Sequence, residues 1–252
     1  MALLSTIRDL HRRKGRERRG LALAEGVRLV EEMLASAAGC KGTLISPALV
    51  TTPRGARLKE RLIASGVAIE EISDAELADV AATEHSQGVV AVYQVKAWTL
   101  DDCAAVPRHP LVILDGVQDP GNVGTIARTA VAFGASGLIA LPGTADLTNP
   151  KAVRGAMGAL FQLPHCHADD AETVGMLARR NIALWAMEMN GELLDGIAPV
   201  GPLALLFGNE GAGIRPELLA RAARRVTIPI MSAAESLNVA VAAGIALHEV
   251  TR

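Results

Sequence analysis

Apolar positions along this chain recur at two periods, and the alternation between them marks out its elements. Val27, Val30, Met33 and Leu34 repeat at helical spacing and predict a helix over 26–38. Short apolar runs at 21–24, 43–45, 67–72 and 89–95 predict strands, the last rich in β-branched residues. Helices are expected over 57–64 and 74–80, and a short helix followed by a basic arm over the first nineteen residues. Alternating strands and helices of this kind predict a small α/β domain over residues 1–95. Residues 96–108 read as a linker, with Pro107 inside it and Pro110 just beyond.

From 109 to 252 the pattern is more apolar. Compact runs at 111–114, 138–141, 182–187, 203–207 and 226–228 alternate with helices expected over 122–133, 151–159, 171–180, from about 216, and over 237–250. Apolar strands alternating with helices predict a parallel sheet covered on both faces. The last helix is apolar on nearly every side and rich in Ala and Gly, so it is expected to be wholly buried. Ser236 is its candidate N-cap, and Asn238 is an amide in its first turn that needs partners if buried.

Charge changes the picture at one place. The chain carries a net −2, yet Arg12, Arg13, Lys14, Arg16, Arg18 and Arg19 face only Glu17 within one short run. Such a patch can contact phosphates through its local field or serve as a solvated linker. Aromatic residues make up only 2% of the chain, which argues against a base-stacking platform. Cys40, Cys103 and Cys166 are too widely spaced for a zinc site or a disulfide framework and read as reduced, mostly buried thiols. His165 and His167 flank Cys166 without a further ligand at suitable spacing, so no metal is expected. No apolar run reaches the ~18–20 residues of a membrane span, and the N-terminal apolar stretch is too short for a signal peptide. These features predict a cytoplasmic protein.

Three loops follow strands of the second half, where open α/β sheets gather ligands. The first, 115–129, holds Gly121 and Asn122, which suit a turn and a helix cap, and Arg128, expected within two turns of that helix N-terminus. The second, Gly208-Asn209-Glu210-Gly211-Ala212-Gly213, is glycine-rich but has neither the dinucleotide G-x-G-x-x-G order nor the Lys-Ser/Thr of a P-loop. The third is 228–238. Each also has a plain structural reading: a surface Arg, a tight turn, a satisfied core amide.

Taken together and in this order, the loops closely resemble the SpoU/TrmH family of RNA ribose 2′-O-methyltransferases, within the SPOUT class. The resemblance lies in Asn122-Val123-Gly124-Thr125-Ile126-Ala127-Arg128-Thr129, in Leu206-Phe207-Gly208-Asn209-Glu210-Gly211-Ala212-Gly213, and in Ile228-Pro229-Ile230-Met231 with Ser236-Leu237-Asn238-Val239. Ala24-Glu25-Gly26 and 87–92 resemble the substrate-binding domain often fused ahead of it. The resemblance implies a knotted SPOUT methyltransferase domain over 109–252, with a deep trefoil knot, behind an RNA-binding α/β domain. It also implies S-adenosylmethionine as cofactor, a homodimer formed through the C-terminal domain, and an RNA substrate, ribosomal RNA in preference to transfer RNA. Met187, Gly208, Asn209, Gly211, Ile228, Met231 and Leu237 are then expected at the cofactor, and Arg128, Asn122, Glu210, Ser236 and Asn238 at the catalytic centre. Ala156 stands where many relatives have Ser.

A guanidinium holds its proton too tightly to act as a base. Arg128 is therefore expected to grip RNA phosphate and stabilise the developing alkoxide, with Glu210 as the second-choice proton acceptor. The six basic residues of the arm are expected to contact phosphates. A non-catalytic RNA-binding protein on the same scaffold, a transfer RNA methyltransferase and a dinucleotide oxidoreductase are the competing readings.

Overall fold

The computed structural model describes residues 2–83, 85–106, 108–231 and 236–252, with the side chain of residue 2 left aside. The first part of the chain runs α1 (Ala2–Leu10), α2 (Arg13–Arg19), β1 (Leu21–Glu25), α3 (Val27–Ala35), β2 (Cys40–Ile45), a 3-10 turn (Pro47–Thr51), α4 (Pro53–Ala64), β3 (Ile69–Glu71), α5 (Asp74–Ala78) and β4 (Val89–Gln94). The second part runs α6 (Leu100–Cys103), β5 (Leu111–Leu114), α7 (Pro120–Ala132), β6 (Gly137–Ala140), α8 (Pro150–Ala156), a 3-10 turn (Ala159–Phe161), β7 (His165–His167), α9 (Asp170–Arg179), β8 (Ala183–Leu193), β9 (Leu203–Phe207), α10 (Pro216–Leu219), β10 (Arg224–Thr227) and α11 (Val239–Thr251). Among the described residues, no helix is long and apolar enough to cross a membrane.

The chain forms two compact units, Met1–Lys96 with Thr148–Gln162, and Ala97–Leu147 with Leu163–Arg252. Segment 148–162 therefore departs from the division at 96–108: α8 packs on β1, and Phe161 meets Tyr93 edge-on with ring centroids 5.0 Å apart. A contiguous reading could not find this, because the contacts are made with residues more than sixty positions away. The linker is also partly ordered, since α6 starts on a capping box between Thr99 and Asp102.

In the N-terminal unit the sheet order is β1-β4-β2-β3. β4 pairs antiparallel with both β1 and β2, and β2 pairs parallel with β3. Ile7, Leu10, Leu23, Leu44, Leu77, Val90 and Val92 form its core.

The basic arm is a helix with definite structure. Gly20 ends α2 in the left-handed conformation, its N–H bonded to Arg16 O. Arg16 is only 3% exposed; Nη1 donates to Leu10 O and His11 O, and Nε to Thr148 Oγ1. Its placement among the phosphate contacts is thus corrected: this guanidinium cross-links the N-terminal segment to residue 148. Arg18 and Arg19 both pair with Asp9, and Arg13 with Glu17. Arg12 and Lys14 are exposed.

The second unit holds a six-stranded sheet in the order β10-β8-β9-β5-β6-β7, parallel throughout. Three of its four interior strands, β9, β5 and β6, are buried along their whole length and carry only apolar residues and one glycine, as strands covered on both faces should. Leu111, Ile113, Ile139, Leu184 and Leu206 pack with Met176, Leu177 and Leu218. β7 has the sequence His-Cys-His and no apolar run, so periodicity does not disclose it; it lies at the sheet edge. The cysteines are free thiols, but only Cys103 is buried, with its Sγ 3.8 Å from that of Cys166.

Two helix starts differ from expectation. α7 is capped by Asp119, whose side chain accepts from Gly121 N, with Pro120 at the first helical position. Asn122 thus lies inside the first turn, and Arg128 is the ninth helical residue, beyond the reach of the helix N-terminal field. α11 is capped by Asn238, not Ser236: Asn238 Oδ1 accepts from Ala240 N at 2.9 Å and Val241 N at 3.4 Å. α11 also has an exposed apolar face, with Val241 51% and Ile245 37% accessible.

Candidate active site

The middle of β8, the carboxyl end of β9 and the entry to α11 line a cavity of about 560 Å³. β9 leads into loop 208–213, which must turn back sharply beside Ile214. A Cβ on Gly208 would lie 2.4 Å from Gly213 C and Ile214 N, so only glycine fits there. Asn209 fixes the loop from within: its Nδ2 donates to Gly116 O at 2.7 Å, and its Oδ1 accepts from Gly211 N and Ala212 N. The loop exit is fixed by Asp115, a carboxylate 1% exposed at the end of β5. Asp115 accepts from Arg215 N at 2.8 Å and from Arg215 Nε at 2.6 Å, while Arg215 also reaches Asp170.

β8 supplies another wall through an irregularity. On β10, Arg225 pairs with Ala186 and the next residue, Val226, pairs with Glu192. Residues 187–191 are therefore extra on β8 and interrupt the register with β10, with Gly191 close against the backbone of Arg225 and Val226, and 187–190 line the cavity. Ile228, Ile230 and Leu237 provide apolar lining. The only charged side chains among the described lining residues are carboxylates, Glu188 and Glu210.

The polar centre joins all three loops. Asn122 Nδ2 donates to Glu210 Oε1 at 3.0 Å, and Asn238 Nδ2 donates to Asn122 Oδ1 at 3.1 Å. Glu210 also accepts from Gln118 N and Asp119 N. Burial pushes the Glu210 carboxyl up, but the hydrogen bonds from Asn122, from its own backbone N–H and from the amides of Gln118 and Asp119 outweigh it. The carboxyl is held below the usual glutamate range, and its oxygens are engaged. That makes it a poor proton acceptor and a good anchor for Asn122.

Met187, Gly208, Asn209, Glu210, Gly211, Ile228, Ser236, Leu237 and Asn238 all line the cavity. Asn122 is bound to two of them. Met231, expected at the cofactor, is outside the lining and 82% exposed. Arg128 is exposed on α7 and is not a lining residue either. Residues 232–235, within the expected cofactor loop, lie outside the described residues. Glu188, Asp115 and Arg215 were not singled out by the sequence; the pairing of Asp115 with Arg215 spans one hundred positions, and the bulge that exposes Glu188 has no local signature.

Comparison with known proteins agrees with this arrangement. Residues 109–248 match the SpoU rRNA Methylase family, and residues 4–91 match the MRM3-like substrate binding domain. The chain is 34% identical to the 23S rRNA (guanosine(2553)-2′-O)-methyltransferase RlmP of Bacillus subtilis, over 96% of this chain and 92% of that one. The crystal structure of the SpoU methyltransferase AviRb from Streptomyces viridochromogenes, in complex with AdoMet, superposes with a TM-score of 0.86 at 28% identity, covering 99% of this chain and 96% of that one. An AdoMet-bound rRNA methyltransferase from Sinorhizobium meliloti gives a TM-score of 0.83 at 31% identity, covering 98% and 93%. With three motif loops meeting at one cavity and a family match across its C-terminal part, this chain belongs to the SpoU rRNA methylase family.

Proposed function

We propose that the protein transfers a methyl group from S-adenosylmethionine to a ribose 2′-hydroxyl of structured RNA, ribosomal RNA being the substrate. The observation that carries this reading is the Glu210–Asn122–Asn238 chain of hydrogen bonds, which unites the three family loops at the cavity. The cavity suits the cofactor: its volume is in the range of small-molecule sites. Its walls offer apolar side chains for an adenosine, and its charge is negative, matching a sulfonium. Backbone around Gly208, Ile228 and Leu237 would hold the cofactor, with Met187 and Asn209 beside it.

When bound, S-adenosylmethionine supplies a methyl carbon already activated for displacement. The chain's task is to prepare the hydroxyl: to orient it, exclude water and stabilise the alkoxide as it forms. Arg128, always protonated, grips an RNA phosphate and stabilises that oxygen. Since Arg128 is not part of its own chain's cavity lining, RNA or a second subunit must bring the ribose and this guanidinium together. Glu210 remains ionised and holds Asn122, which with Asn238 keeps the loops in register. Ser236, at the cavity wall, is available to the substrate.

The exposed Val241 and Ile245 on α11 support a homodimer through the C-terminal unit, as the resemblance implies together with the knot. The reading also takes the N-terminal unit as the RNA-docking part, with exposed Arg12 and Lys14 as its phosphate contacts, and has the protein act in the cytoplasm. Mass-spectrometric mapping of 2′-O-methyl groups in total RNA, with and without the gene, tests it. One site in ribosomal RNA should lose its methyl group; loss confined to transfer RNA moves the substrate there, and no loss anywhere contradicts the activity.

A further inference from the structure

Two carboxylates line the cavity, and they are in opposite states. Glu210 has its oxygens committed to Asn122, Gln118 and Asp119. Glu188 has no such commitments. Its nearest cation is Arg225 Nη1 at 3.9 Å, beyond hydrogen-bond distance, and its side chain is 30% exposed. No hydrogen bond ties its carboxylate among the described residues. The β8 bulge between the pairs Ala186–Arg225 and Glu192–Val226 carries it into the cavity wall. Arg225 itself is 53% exposed and shares its charge with solvent. A half-buried carboxylate without a hydrogen-bond donor, in a cavity whose described lining has no cationic side chain, presents negative charge to whatever binds there.

This matters because methyl transfer changes the ligand's charge. S-adenosylmethionine carries a sulfonium; once its methyl leaves, S-adenosylhomocysteine has a neutral thioether. We propose that Glu188 is a specificity-determining residue that makes the cavity select the charged methyl donor over the spent product, an inference that rests on the cofactor reading above. The same attraction favours release, since it is lost when the methyl group departs. Contact with the methyl group itself also discriminates the two ligands, so the charge effect is read from the change in their affinity ratio in variants that keep the cavity's shape.

Calorimetric titration of the full chain with S-adenosylmethionine and, separately, S-adenosylhomocysteine tests the inference without measuring turnover. Glu188→Gln removes the charge at constant shape. It should weaken the donor about fivefold, the scale of a single exposed charge pair, and leave the product within about twofold. Arg225→Met removes the competing cation and should shift the ratio the other way, strengthening the donor relative to the product. Melting curves of both variants verify that they are folded. Equal loss of both ligands in Glu188→Gln, or an unchanged ratio in either variant, overturns the proposal. If the unmodified chain binds the product but not the donor, the inference fails while the cavity keeps its adenosine-binding reading. If it binds neither, the cofactor reading itself fails and takes this inference with it.

Discussion

Asn238 donates its side-chain N–H to the side-chain oxygen of Asn122 at 3.1 Å, across 116 positions of sequence. The same Asn238 caps α11 with its oxygen, and the same Asn122 is held from its other end by Glu210. One amide thus serves the helix and the site with different atoms.

Asn238→Asp separates those two roles. An aspartate caps a helix as well as an asparagine does, but it has no N–H for Asn122 and turns a negative oxygen toward Asn122 Oδ1. We expect methyl transfer to fall at least about tenfold, with the melting temperature nearly unchanged. Asn238→Ala loses both roles and should also cost about 1 kcal/mol in stability. Initial rates and melting curves of the pair check this; equal melting-temperature losses would mean that the cap is not separable from the contact.

Glu210 predicts a pH dependence with a definite sign. Its folded carboxyl lies below the ordinary value, so the unfolded chain binds its proton more readily. The stability it contributes is present above the unfolded pKa of about 4.3 and lost as pH falls through the folded value. Glu210→Gln should therefore melt below the unmodified protein at pH 6 and 7, with the gap closing below about pH 4. A gap that widens on acidification would reverse the assignment.

Arg215 and Asp115 hold the exit of the glycine loop. Asp115 is buried and Arg215 is partly exposed, so the two deletions are unequal. Arg215→Ala leaves a buried carboxylate with one backbone donor, and should cost about 2–3 kcal/mol. Asp115→Ala lets the guanidinium turn to water and should cost less. Adding Asp115→Asn to Arg215→Ala should recover part of the loss, a coupling measurable by a double-mutant cycle in urea.

The basic helix makes a sharper distinction than its composition does. Arg12→Gln with Lys14→Gln should reduce the salt dependence of RNA binding by roughly two phosphate contacts while leaving stability unchanged. Arg16→Gln should instead lower the melting temperature, because it removes three hydrogen bonds of a buried guanidinium. Filter binding across a salt series, with parallel melts, checks both.

What the sequence discloses here depends on the range of the interaction. The parallel sheet is legible because 111–114, 138–141 and 203–207 are apolar at each position, and the site is legible because the glycine loop and Asn238 depart from their surroundings. Long-range relationships are not: β7 carries no apolar pattern, Arg16 looks like its neighbours until Thr148 meets it, and 148–162 packs on the N-terminal unit. Local rules also misplace caps when two candidates compete, as with Ser236 and Asn238, or Asn122 and Asp119. Periodicity reports burial within one element, whereas these features depend on which elements meet.

Methylation of a ribose 2′-hydroxyl by this chain should need Arg128 for the transfer step and not for cofactor binding. The direct test incubates the purified chain and Arg128→Ala with ribosomal RNA and methyl-labelled S-adenosylmethionine, digests the RNA with alkali, and measures label in alkali-resistant dinucleotides alongside the cofactor affinity of each protein. Label should appear in those dinucleotides for the unmodified chain, at least about a hundredfold less for Arg128→Ala, with equal cofactor affinity for both. Label in alkali-sensitive mononucleotides, or an Arg128→Ala variant with most of its turnover intact, would contradict this expectation.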